Sequence, residues 1–181
     1  MSVIKIRPLL LTLFCGICFS VSAQIDSFQK NIIDYLNSNG TEEQYSEAYE
    51  GMFDVLKKQF VNPVVPEEVW IELKQGKKES LQELIAFLTF AYRKHFTEAD
   101  ILKMTEFYKS EAGQKMVYNA PDISVEDNDK IVAFFTSDLG KKIESKREAL
   151  LVDVAEISRT WSRELFAEKM SLLVKKGYSA R

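Results

Sequence analysis

The 181-residue chain is 46% hydrophobic and carries a formal net charge of −3, which suits one globular domain. That mild acidity argues against nucleic acid as a partner, because phosphate binding needs a basic patch, and disfavours docking on anionic lipid. The two cysteines, Cys15 and Cys18, both lie close to the N-terminus.

The N-terminus reads as a secretory signal peptide. Lys5 and Arg7 lead into the apolar run Leu9–Phe19, and "VSA" sets small residues at the −3 and −1 positions of a cleavage site after Ala23. The run is too short to cross a bilayer, which takes roughly 20 residues. Phe14 and Ile17 precede the cysteines where a lipoprotein signal needs a small residue. The expectation is a periplasmic or secreted mature chain, Gln24–Arg181, of 158 residues without a stable membrane anchor. Loss of Lys5 and Arg7 leaves 22 basic against 27 acidic side chains, a net charge near −5. The mature chain then has no thiol, which excludes a disulfide, a cysteine nucleophile and a cysteine metal ligand. A domain of about 150 residues can rely on its core alone.

From there the pattern is helical. Capping boxes, in which an N-cap oxygen and a residue three positions on satisfy two orphan backbone donors, are expected at Asp26–Gln29, Thr41–Gln44, Ser80–Glu83, Thr97–Asp100 and Ser124–Asp127. The shorter Asp is expected to reach back less well than Glu. "NSNG" (Asn37–Gly40) ends the first helix and Gly76 ends another, while Pro66 with Glu67 and Glu68 suits a first helical turn. "VNPVV" (Val61–Val65) is the one extended connector, since a residue before Pro is pushed out of the helical region. Lys74, Lys77 and Lys78 read as a solvated helix end and loop.

The last stretch, Lys141–Lys176, lacks Pro and Gly, and apolar residues recur three or four apart from Ile143 to Leu173 before a cationic last turn and Gly177. Such a helix would be roughly 50 Å long against a domain diameter near 40 Å. It must break, most naturally around Ser158–Ser162, or project beyond the body, where an apolar stripe usually means a partner helix. The expectation is a long helix packed along the whole bundle, with dimerisation as one consequence.

One pattern occurs twice. Thr97–Met116 and Ser124–Ile143 align without a gap, with six identities in twenty positions: Asp100/Asp127, Lys103/Lys130, Phe107/Phe134, Ser110/Ser137, Gly113/Gly140 and Lys115/Lys142. Each copy reads as a capped helix, an inward Phe near its end, a Ser that caps a second helix, and a Gly at the third helical position. Gly costs about 1 kcal/mol there relative to Ala, so the backbones should approach closely at the corner. An anion site on two helix N-termini is the functional alternative, opposed by the acids Glu111 and Asp138.

"YRKHFTEADILKMTEFYKSEAGQKMV" (Tyr92–Val117) resembles the central motif of a bacterial family of short exported proteins classed as a domain of unknown function. The pattern rests on Phe96, Thr97, Phe107, Tyr108, Ser110, Gly113 and Lys115, and Glu111 stands where members of the family often have Pro. The resemblance implies an all-α fold and an exported location, and no activity.

Catalytic chemistry finds few parts. His95 is the single histidine, so a triad or a histidine metal site is incomplete. Asp122, Glu126, Asp127 and Asp129 lack the Gly and terminal Glu of an EF-hand loop and read as acids at a helix start. Neither a catalytic residue nor a metal or cofactor site is expected. The aromatics Phe87, Phe90, Tyr92, Phe107, Tyr108, Phe134 and Phe135 are either core or the lining of a cavity for a small apolar ligand between helices.

The expected fold is all-α, a single domain of about six to eight helices over residues 24–181. The expected role is that of a non-catalytic envelope protein that binds another protein or a second copy of itself, with a carrier of a small apolar ligand as the alternative.

Overall fold

In the computed structural model, which describes residues 26–61 and 64–180, eight α-helices follow one another and no strand occurs among the described residues. They are α1 (Ser27–Ser38), α2 (Thr41–Gln59), α3 (Glu67–Leu73), α4 (Lys77–His95), α5 (Glu98–Lys109), α6 (Glu111–Tyr118), α7 (Val125–Thr136) and α8 (Asp138–Lys175), with one 3₁₀ turn at Ala120–Asp122. The all-α bundle agrees with the helical periodicity. The expected signal peptide lies outside the described residues, as do Asn62 and Pro63 of the connector.

Most helix starts follow from the caps. The Asp26 carboxylate accepts from the Gln29 backbone N–H at 2.8 Å. Thr97–Asp100 and Ser124–Asp127 form complete capping boxes. Aspartate reaches back fully in both, at 2.8 Å to the Thr97 N–H and 3.1 Å to the Ser124 N–H, contrary to the expectation of a poor fit.

Two expected caps are displaced. Helix α2 starts from Gly40 in the left-handed region (φ 82°), so Thr41 is already helical and hydrogen-bonds Asn39 instead. Helix α4 starts from Gly76 (φ 84°), which leaves Ser80 inside the helix. Lys74 and Lys77 both pair with Glu50, at 2.7 and 2.8 Å, where a merely solvated cluster was expected.

The core has two centres. The first gathers Ile32 and Leu36 of α1, Leu84 and Leu88 of α4, Phe96, and Ile101 and Met104 of α5. The second gathers Tyr49, Phe53 and Leu56 of α2, Trp70 and Leu73 of α3, and Leu165 and Leu173 of α8. Each fully buried side chain of this size contributes roughly 1.5–3 kcal/mol.

Helix α8 joins the two. Its 38 residues span about 57 Å at 1.5 Å per residue without a break at Ser158–Ser162. Leu150, Val154 and Ile157 pack on the first centre, Leu165 and Leu173 belong to the second, and Trp161 touches both. The Ser158 and Ser162 hydroxyls donate back to the carbonyls of Val154 and Arg159, so these residues fit the helix without interrupting it.

Candidate interaction surfaces

The two repeat units occupy α5–α6 and α7 with the start of α8, and they fold alike. Ser110 and Ser137 cap α6 and α8 by accepting from the Gly113 and Gly140 N–H groups, at 3.2 and 3.1 Å. A Cβ on Gly113 would lie 2.1 Å from the Phe107 carbonyl oxygen, and one on Gly140 would lie 2.2 Å from that of Phe135. The corner closes backbone on backbone, which is why glycine recurs.

The units then grip one another reciprocally. Lys115 of the first reaches Asp127 of the second at 2.9 Å, and Lys142 of the second reaches Asp100 of the first at 2.5 Å. Phe107 and Phe134 stack face to face, with centroids 3.9 Å apart and planes 3° from parallel. A contact repeated with its partners exchanged is the mark of a two-fold relation, here within one chain. Five of the six identities serve this arrangement. Both lysines are held by the partner unit's carboxylates, which disfavours the anion-site alternative.

The electrostatics agree with the geometry. Hydrogen bonds from Lys115, then from Ser124, hold the Asp127 carboxyl at about 2. Burial opposes ionisation of Asp100, yet bonds from Lys142 and Thr97 outweigh it and keep the carboxyl below its ordinary value. Glu111 and Asp127 hold the Lys115 ammonium above its own.

The flanks of the units differ. On α5, Ile101, Met104 and Thr105 are buried, and Tyr108 meets Tyr35 of α1 edge-on at 5.5 Å. Asn31 and Asp34 of α1 bond Glu98 and Lys109 across this contact. The positions equivalent to Ile101, Thr105 and Tyr108 are Asn128, Val132 and Phe135 of α7. Asn128 is exposed, and Val132 and Phe135 are 51% and 38% exposed. Val125 extends the same stripe at 82% exposure. Helix α7 rests chiefly on α6 and α8, and among the described residues no helix covers it as α1 covers α5.

A second surface lies between α4 and α8. It is a groove of about 690 Å³ lined by Ser80, Glu83 and Phe87 on one side and by α8 from Glu156 to Glu168 on the other. Trp161 is fixed at its base, its indole N–H donating to the Ser80 hydroxyl at 3.0 Å and its ring edge-on to Tyr45.

The structure does not bring the seven singled-out aromatics to one wall. Phe87 lines the groove and Phe90 stands exposed beside it on α4. Tyr92 and Tyr108 flank Tyr35 in the first core centre, where burial raises their phenol pKa values and keeps them protonated. Phe107, Phe134 and Phe135 form the junction of the units. His95, the last residue of α4, bonds Asp153 of α8 at 2.5 Å and is largely buried. Lys94, then His95, depresses the Asp153 pKa. Sequence reasoning gave no surface role to Glu83, Glu156, Trp161 or Glu164; the spacing of Glu156, Glu164 and Glu168 by eight and four residues, which sets them on one face of a helix, was the available signal.

Among the described residues no cluster of His, Cys, Asp and Glu could hold a metal ion, and no helix is long and apolar enough to cross a membrane. Residues 82–131 match a family described as an uncharacterized protein conserved in bacteria (DUF2059). The Tyr92–Val117 motif lies wholly inside that match, which runs from within α4 through the first unit into α7. No curated protein and no solved structure matches the chain.

Proposed function

We propose that the mature chain is an exported, non-catalytic protein that acts by binding another polypeptide through the uncovered face of α7. The observation that carries this reading is internal. Unit one buries its face under an amphipathic helix, α1, and unit two presents the equivalent face bare. Val125, Val132 and Phe135 supply the apolar contacts that such a helix would cover, and exposed apolar stripes of this kind mark interaction sites. The basic, apolar and small-residue sequence of the first 23 residues supports export.

The test is a photocrosslinking side chain at Val132, introduced into the full chain expressed in a bacterial host. The reading expects one saturable adduct, with a defined protein or with a second copy, that disappears in the Val125→Asp variant, whose native side chain is 82% exposed. Thermal unfolding of that variant should stay within about 0.5 kcal/mol of the parent, as for surface positions generally. Diffuse labelling that survives Val125→Asp would remove α7 as the binding face.

A further inference from the structure

The α4–α8 groove combines two rows of opposite character along one helix. Glu156, Thr160, Glu164 and Glu168 recur every four residues, and Ile157, Trp161 and Leu165 form the adjacent row. At 1.5 Å per residue the acidic row is about 18 Å long, with neighbouring positions about 6 Å apart. Across the groove α4 adds Glu83 and the half-exposed ring of Phe87. Glu168 pairs with Lys169 at 3.0 Å. Among the described residues Glu83, Glu156 and Glu164 form no salt bridge, so three carboxylates border an apolar floor without a cation.

We infer that this groove receives a basic amphipathic helix from another polypeptide, about three turns long, with apolar side chains on Phe87, Ile157, Trp161 and Leu165 and Lys or Arg against Glu83, Glu156 and Glu164. The charge is complementary, and the pitch fits: residues four apart on a helix stand about 6 Å apart, matching both rows. An amphipathic helix laid into an apolar groove is a recurrent mode of peptide recognition. An anionic segment is repelled by the rim, and a small polyamine satisfies the carboxylates while leaving the floor uncovered. This surface is separate from the face of α7, so the two proposals stand or fall independently.

The probe is a synthetic 14-residue leucine–lysine amphipathic helix, titrated into Gln24–Arg181 carrying Trp70→Phe, so that fluorescence reports Trp161 alone. Binding should shift the emission of Trp161 and weaken with added salt. Neutralising the rim with Glu83→Gln, Glu156→Gln and Glu164→Gln should reduce affinity about tenfold, and Phe87→Ala should reduce it independently of salt. A control with Glu42→Gln, Glu43→Gln and Glu47→Gln on α2 should bind like the parent. Equal binding of a leucine–glutamate helix would overturn the inference, as would an equal loss in the α2 control. Full competition by spermidine at matched charge would overturn it too, since the apolar floor would then contribute nothing.

Discussion

The two repeat units share their caps, corners and reciprocal contacts, yet one is core and the other is rim. In α5 the apolar positions Ile101 and Met104 sit under α1, in the core centre to which α4 also contributes. In α7 only Asp127 is buried, and it is buried because Lys115 and its own N-cap enclose it. Repeating a local pattern therefore reproduces local geometry, whereas burial depends on which other helices reach each copy. The polar Asn128 at the position of Ile101 is consistent with a face that none of the described residues covers.

Breaking the equivalent positions should separate the units most sharply. Ile101→Ala should cost about 2–5 kcal/mol through a cavity in the first core centre, while Asn128→Ala should change stability by less than about 0.5 kcal/mol. Urea unfolding of both variants checks this, and comparable losses would mean that α7 is as integral as α5.

The corners should carry similar local costs and show them in different places. A methyl on Gly113 or Gly140 meets a carbonyl oxygen, and overpacking of this kind costs typically 1–3 kcal/mol. Gly113→Ala should lower the global stability. Gly140→Ala should instead speed amide exchange locally in α7 and the first turns of α8, which hydrogen-exchange mass spectrometry would resolve.

The smallest effect is expected from acid. Asp127 titrates at about 2 in the folded chain against an ordinary value of 3.8. A depressed carboxyl contributes stability that is fully present above about pH 4 and is lost as pH falls through about 2. Asp127→Asn should therefore flatten the pH dependence of the unfolding midpoint between those limits and leave the slope above pH 5 unaltered. Asp100→Asn should act in the same direction, through the bond to Lys142.

Much of the fold was legible because its signals are local. Thr97, Ser110, Ser124 and Ser137 announce helix starts, since each hydroxyl meets a backbone N–H three residues on. The starts of α2 and α4 were misplaced because Gly40 and Gly76 begin them from the left-handed region without a side-chain bond, so hydroxyl residues further along the chain attracted the assignment. The groove was not legible, because its walls come from Ser80–Phe87 and Glu156–Glu168, distant in the chain and brought together only by the packing of α4 on α8. The seven aromatics resembled one set in sequence and were distributed over three places by that same packing.

By itself the sequence determined an all-α chain, two copies of a helix–corner–helix unit and a long final helix, because caps, glycines and helical period act within a few residues. Only the tertiary structure decided that the copies embrace through Phe107, Phe134 and crossed Lys–Asp pairs, and that α8 runs unbroken across two core centres. It also decided which face of α7 and which groove the described residues leave open, since burial is a property of what neighbouring helices cover.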